Sequence, residues 1–373
     1  MKVLIAGDYC DAYRVSEKIL SDEGHSMFED VKPLVDGEDV SIVNFEFPVV
    51  LESGSPIRKC GPALKGHRES VDAIKYAGFG VCTLANNHIL DQGEQCCMDT
   101  MALLADAGID TVGAGRNLAE AMQPLYINKG DDTLAIINCC ENEFSIATDK
   151  TAGANPMNPI VLHKSIKEAR MKADYVLVIT HGGHEHFQLP DMRMKEIYRF
   201  FIDSGADAVV NHHQHCFSGS EVYNGKPIFY GIGNFLFDFP TYRNSPWNYG
   251  YMVELDFSSE EVSYRTIPYS QCDSTPCVTL SRGEELVAFE KEFERLSKII
   301  ADDDMLKREV ESYFDENTSR MLKLFEPYSN RITAKLFSMK LLPKLFRGKR
   351  VTRMLNYIAC ESHREMLVHA LKK

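Results

Sequence analysis

Apolar and polar positions along the chain switch between two periods. Short apolar runs at residues 2–6, 40–43, 80–84, 109–112, 174–180 and 207–210 have strand length. Between them, apolar residues recur at helical spacing over 69–77, 94–107, 117–122, 163–173 and 192–204, with Gly78 as a C-terminal cap. This alternation predicts an α/β domain. Residues 125–128 and 133–139 read as a strand pair across the turn at 129–132. Residues 221–223 and 227–230 read as a hairpin across Asn224-Gly225. Residues 249–257 and 262–268 alternate and are expected to close the sheet with antiparallel strands. Residues 50–66, rich in Gly, Pro and Ser, read as a loop bordering a site, and 142–159 as a long loop of the kind that is usually either functional or disordered. From about residue 281 the pattern is helical throughout, over 284–300, 305–325, 333–346 and 352–371. Two regions follow: a domain at 1–270 and a helical extension at 281–373.

Polar clusters interrupt this pattern where buried strands end. Open α/β sheets place their sites at such ends. The first run ends in Gly7-Asp8, and the second in Asn44-Phe45-Glu46. The third opens onto Asn86-Asn87-His88, with Asp91 and Gly93 just beyond. Asn and Asp are also ordinary turn and cap residues, so that stretch alone decides nothing. The run at 174–180 ends in His181-Gly182-Gly183-His184-Glu185-His186, and the run at 207–210 in Asn211-His212-His213-Gln214-His215. Imidazoles with a carboxylate are the usual ligands of a transition metal. His213 and His215, two apart on an irregular loop, can both face one ion.

Composition narrows the class. With 373 residues, 44% hydrophobic and 25% charged, the chain can bury a large core. A net charge of −13 argues against a general nucleic-acid binder. Eleven cysteines, with no Cys-x-x-Cys pair, read as reduced thiols. The N-terminus reads as a strand, not a signal peptide, and no run approaches the roughly 18 apolar residues of a membrane helix. The expected location is cytoplasmic, at the inner membrane surface if the C-terminus binds lipid. From residue 318 onward, 13 Lys and Arg stand against 3 Asp and Glu, leaving 28 against 51 in the rest. Those basic helices either touch an anionic membrane or pack on the acidic domain.

The ordered set Gly7-Asp8, Asn44-Phe45-Glu46, Asn86-Asn87-His88, His181 with Glu185, His212-His213-Gln214-His215, and Tyr223 to Ile228 leading to Gly233-Asn234-Phe235 resembles the poly-γ-glutamate capsule biosynthesis (CapA) family, a branch of the calcineurin-like metallophosphoesterases. The likeness covers about residues 1–270. It implies a four-layer α/β/β/α sandwich of the metallo-dependent phosphatase type. It implies Asp8, Glu46, Asn87, His181, His213 and His215 as ligands of one or two divalent ions, Mn, Fe or Zn. His88 then resembles the general acid, with Asp91 orienting it. Asn86, Glu185, His212, Lys226 and Asn234 are the remaining motif positions, read as substrate-binding or supporting residues.

The chain departs from the superfamily pattern. Metallophosphoesterases usually begin Asp-x-His, and here Cys10 stands at the His position; Glu46 replaces their second Asp. Losing one imidazole favours a single ion over a two-ion clamp on attacking and leaving oxygens. The function the resemblance implies is a metal-dependent hydrolase of capsule, poly-γ-glutamate or exopolysaccharide assembly, acting on a polymer or on a small phosphorylated or peptidic substrate and working with other assembly proteins. Two alternatives stand: a non-catalytic subunit binding polymer or synthase, and a metal-dependent proton-transfer enzyme of epimerase type.

Overall fold

The computed structural model describes residues 1–21, 23–257, 261–322, 331–343 and 346–372. In the first third, β1 (Lys2–Cys10), α1 (Arg14–Leu20), α2 (Lys32–Val35), β2 (Val40–Phe45), α3 (Glu69–Ala77), β3 (Val81–Thr83), α4 (Glu94–Asp106) and β4 (Asp110–Val112) follow one another. A short ribbon and helix come next: β5 (Ala114–Gly115) and α5 (Leu118–Ala121). The middle contains β6 (Leu125–Lys129), β7 (Asp132–Cys140), β8 (Gly153–Ala154), α6 (Pro159–Arg170), β9 (Tyr175–His181), α7 (Met192–Ser204) and β10 (Ala208–His212). Then come β11 (Ser220–Tyr223), β12 (Lys226–Phe229), β13 (Asn234–Phe237), β14 (Tyr249–Asp256), β15 (Ser263–Gln271) and β16 (Val278–Leu280). Among the described residues, five helices finish the chain: α8 (Glu284–Ala301), α9 (Asp303–Leu322), α10 (Arg331–Ser338), α11 (Lys349–Ala359) and α12 (Glu361–Lys372).

The strands form two large sheets. One runs β16-β15-β14-β1-β2-β3-β4, with β13 also paired to β1; the other runs β11-β12-β10-β9-β7-β6. Alternation along β1 shows how they stack. Val3 and Ile5 share a core with Ile136, Val178 and Val209 of the second sheet. Leu4 and Ala6 point the other way, into a core with Val15 and Ile19 of α1 and Val71 and Ile74 of α3. Each fully buried Val, Leu or Ile contributes about 1.5–3 kcal/mol. A one-residue register slip would turn all four to the wrong face. Leu162 and Ile166 of α6 and Tyr198 and Phe201 of α7 cover the second sheet. The result is the expected α/β/β/α sandwich.

β1–β2–β3–β4 pair in parallel, as do β7, β9, β10 and β12. Their C-terminal ends therefore collect at one end of the sandwich. β1 also changes partner along its length, pairing antiparallel with β14 over Lys2–Ile5 and parallel with β13 from Asp8. That switch requires Gly7, because a Cβ there would lie 2.0 Å from the Gly233 carbonyl oxygen. The close approach leaves Asp8 at the split.

The C-terminal helices continue the outer layer. Leu306, Val310 and Phe314 of α9 and Met366 and Leu367 of α12 join the core of the second sheet. The helix expected over 352–371 is two helices, because Cys360 is extended (φ −67°, ψ 127°) and buried. Its thiol lies 3.5 Å from Glu141 Oε2, a tertiary contact that overrides the helical period. The helix expected over 333–346 ends at Ser338, and residues 323–325 of the expected 305–325 helix lie outside the described residues. The hairpin lysine Lys226 is a further correction: its Nζ pairs with Asp207 at 2.8 Å, before the start of β10 and away from the strand ends that gather the histidines.

Candidate metal centre

The gathered ends of β1, β2, β3, β9 and β10, with the residues just beyond them, bring Asp8, Glu46, Asn87, His181, His213 and His215 together. Asp8 is fully buried. Its Oδ1 accepts from Asn44 Nδ2 at 2.8 Å and lies 3.0 Å from His212 Nδ1; its Oδ2 lies 3.4 Å from His215 Nδ1. Burial alone would raise its pKa, but the hydrogen bonds to His212 and His215 and the charge of His212 hold it well below the usual carboxylate range. Asp8 is thus held as an anion.

Glu46, just past β2, is also fully buried. Its Oε1 has no hydrogen-bond partner among the described residues. It faces His181 Nε2 at 3.5 Å and His215 Nε2 at 3.7 Å. Those separations are too long for hydrogen bonds and leave a buried oxygen unsatisfied. A cation between these atoms would satisfy it. The donor atoms of Glu46, His181 and His213 all lie within 4.8 Å of one another, as do those of Asp8, Glu46 and His215. His181 Nε2 is 3.1 Å from both Asn87 Oδ1 and His213 Nδ1. Burial pushes the pKa values of His181 and His213 well down, so both rings are neutral, the form that ligates. His213 (φ 90°) and His215 (φ 56°) adopt positive φ, a cost of about 1–3 kcal/mol each that typically collects at functional sites. The residues present therefore fit a divalent ion. Cys10, at the departed position, is buried, and burial with the carboxylates of Glu46 and Asp11 pushes its thiol well up. It falls in none of the metal-competent groups among the described residues.

Beside this cluster, His88 Nδ1 lies 2.6 Å from Asp91 Oδ2. Lys59 Nζ reaches His88 Nδ1 at 3.0 Å and Asp91 Oδ1 at 2.5 Å, and the Leu64 amide donates to Asp91 Oδ2 at 2.7 Å. Burial and the Lys59 cation lower the His88 pKa against the opposing pull of Asp91. A cleft of about 240 Å³ opens onto these groups, lined by Lys59, Asn87, His88, Glu143, Glu185 and His186 and by Tyr313, Arg353, Asn356, Tyr357 and His363 of the C-terminal helices.

The structure brings together Asp8, Glu46, Asn87, His181, His213 and His215, with His88 and Asp91 beside them. His212 and Asn234 hold neighbours: the first contacts Asp8, and the second places Oδ1 2.8 Å from His215 Nδ1. Asn86 ties its loop to the backbone oxygen of Phe45 and accepts the His88 amide. Glu185 lines the cleft, and Lys226 does not reach it. Sequence reasoning missed Lys59, Glu143 and the cleft-lining residues of α9, α11 and α12. A lone lysine in a Gly/Pro-rich loop carries no local signal of its partner.

Comparison with known proteins follows this geometry. The chain is 34% identical over 246 residues to the capsule biosynthesis protein CapA of Bacillus anthracis, covering 64% of this chain and 60% of that one. It is 35% identical over 230 residues to the PGA biosynthesis protein CapA of Bacillus subtilis, covering 60% of each. It therefore spans about 60% of the length of these curated relatives. A solved structure described as a novel phosphatase from Mycoplasma pneumoniae overlaps it with a TM-score of 0.46 and 15% identity, over 74% of this chain and 95% of that one. The family model of the bacterial capsule synthesis protein PGA_cap matches residues 2–239, a stretch that contains every residue of the buried donor cluster, and the chain belongs to that family.

Proposed function

We propose that the protein is a metal-dependent hydrolase acting in the assembly of an anionic capsule polymer of the poly-γ-glutamate kind. The relatives' names support the process. The observation that supports catalysis is His88: it lines the cleft beside Asn87, and its other face is held by Asp91 and Lys59. A divalent ion held by Asp8, Glu46, Asn87, His181, His213 and His215 would supply Lewis acidity toward a carbonyl or phosphoryl oxygen. The chain supplies the rest. Asp91 fixes the imidazole through Nδ1, leaving Nε2 to move a proton, a task typically worth about 10²–10⁴ in rate. Lys59 and Arg353 give the cleft cationic groups for an anionic substrate.

The test uses metal-loaded protein with γ-glutamyl oligomers and phosphomonoesters. His88→Asn is expected to keep metal content and Tm and to lose turnover. A His88→Asn protein with full turnover overturns the catalytic reading.

Peripheral contact with anionic lipid through the C-terminal helices belongs to the same proposal. α11 turns Thr352 and Asn356 inward and leaves Leu355 and Ile358 exposed. Ile332, Met339, Leu341 and Phe346 are exposed too, among the cations Lys340, Arg347 and Lys349.

A further inference from the structure

We propose that the chain binds a second divalent ion of the zinc class between Glu143, Cys360 and His363. One ligand atom from each lies within 4.8 Å of the other two. Glu143 sits on the loop after β7, Cys360 at the junction of α11 and α12, and His363 in the first turn of α12. The spacing Cys360-x-x-His363 puts thiol and imidazole on one face of a helix start. Thiolate, imidazole and carboxylate together suit zinc or cobalt and do not suit magnesium or calcium. Three protein ligands leave a fourth position open, as in zinc sites that act on substrates. Glu143 and His363 both line the cleft, so that position is within reach of whatever enters it.

The site does not need an ion to assemble. Asn142 donates from its amide and from Nδ2 to the Glu361 carboxylate, at 3.1 and 2.6 Å. Glu141 accepts from Ser362 Oγ at 2.9 Å and from Arg193. Arg58 donates to Thr352 Oγ1 and to the Gly348 carbonyl, both at 2.8 Å. The first two sets fix the helix junction to the residues after β7, and the third ties the start of α11 to the loop at 50–66.

A second, independent observation comes from Asn356, which is 7% exposed. Its Nδ2 lies 3.3 Å from His363 Nδ1, while its Oδ1 is buried with no hydrogen-bond partner among the described residues. Buried acceptors are seldom left unmet. This one stands ready for a donor group completing the coordination. The site shares no ligand with the cluster at Asp8 and Glu46, although Glu143 Oε1 comes within 3.6 Å of His213 Nε2. Cys360 and His363 lie outside the residues matched by the family model, and Glu143 lies within them. It stands whether or not the cleft is catalytic. Loading exchanges the Cys360 thiol proton, now directed at Glu141, for the ion, and the proton leaves to solvent.

Cobalt(II) titrated into the metal-free full-length protein tests this. The expected result is a thiolate-to-cobalt charge-transfer band in the near ultraviolet, displaced by zinc. Among the described residues no other cysteine belongs to a metal-competent group, so the band reports Cys360. Cys360→Ser should abolish the band, His363→Gln should weaken it, and His181→Ala, in the other cluster, should leave it. X-ray absorption of the cobalt-loaded wild type decides the matter even if a variant fails to fold. A sulfur shell at about 2.3 Å supports the site. Only nitrogen and oxygen neighbours, or a band that survives Cys360→Ser, overturn it.

Discussion

Replacing Glu46 with Gln separates a metal ligand from an ordinary buried acid by the sign of its effect. Burial, with the nearby Asp8 and Glu185 charges, raises the Glu46 pKa well above the ordinary value, and Oε1 has no partner among the described residues. Without metal, the ionised carboxylate therefore opposes folding, and a neutral amide of the same shape relieves that cost. The metal-free variant is expected to melt at or above the wild-type temperature. Metal reverses the order. An ion at 100 times its Kd stabilises the folded state by about 2.7 kcal/mol. Unfolding entropy of about 2.1 cal/mol/K per residue over 373 residues makes that a rise of about 3 °C. Loss of a ligand should weaken binding by at least the roughly 10–100-fold that follows loss of a ligand's own supporting partner. About half of the rise or more should therefore vanish in the variant. Calorimetric scans with chelator and with Mn²⁺ or Zn²⁺ read both states. An equal metal-induced rise in both proteins refutes the ligand assignment, and so does a metal-free variant that melts several degrees below wild type.

Two further outcomes follow from the structure. Asp191 caps α7 through Met194 N and is held to a pKa of about 2, its burial outweighed by His184 and Arg193. A depressed carboxylate stabilises above its unfolded pKa and loses that contribution as pH falls from about 4 to about 2, here about 2 kcal/mol. Asp191→Asn keeps a competent cap, so it should lose about that much stability near pH 7 and flatten the acid limb of the denaturation profile; an unchanged limb contradicts the assignment. In flotation with anionic liposomes, the full-length chain should rise at low salt and sink as salt screens a contact of about 1 kcal/mol per cation; protein that stays at the bottom at low salt removes the lipid contact.

The strand positions were legible because β1, β2 and β9 are apolar runs of strand length, and polar residues at their ends break that pattern for no packing reason. Asp8, Glu46 and the histidines could be picked out that way. Lys226 misled because a lysine in a family-like hairpin carries no sign of which end of the strand it serves, and here it neutralises Asp207. The partnership of Lys59 with His88 spans 29 positions and that of Glu143 with Cys360 spans 217, so no local period encodes either. The break at Cys360 was hidden for the same reason. Its neighbours read as continuous helix, and only contact with Glu141, set by β7, bends the chain there.

No helix among the described residues is long and apolar enough to cross a membrane. Crystals grown with Mn²⁺ or Zn²⁺, with data collected at the metal edge, locate bound ions directly. The expected result is an anomalous peak at coordination distance, about 2.0–2.3 Å, from Glu46 and from imidazoles of the His181, His213 and His215 set. Density maps with no peak there, from protein soaked at saturating metal, would contradict a metal centre at the strand ends.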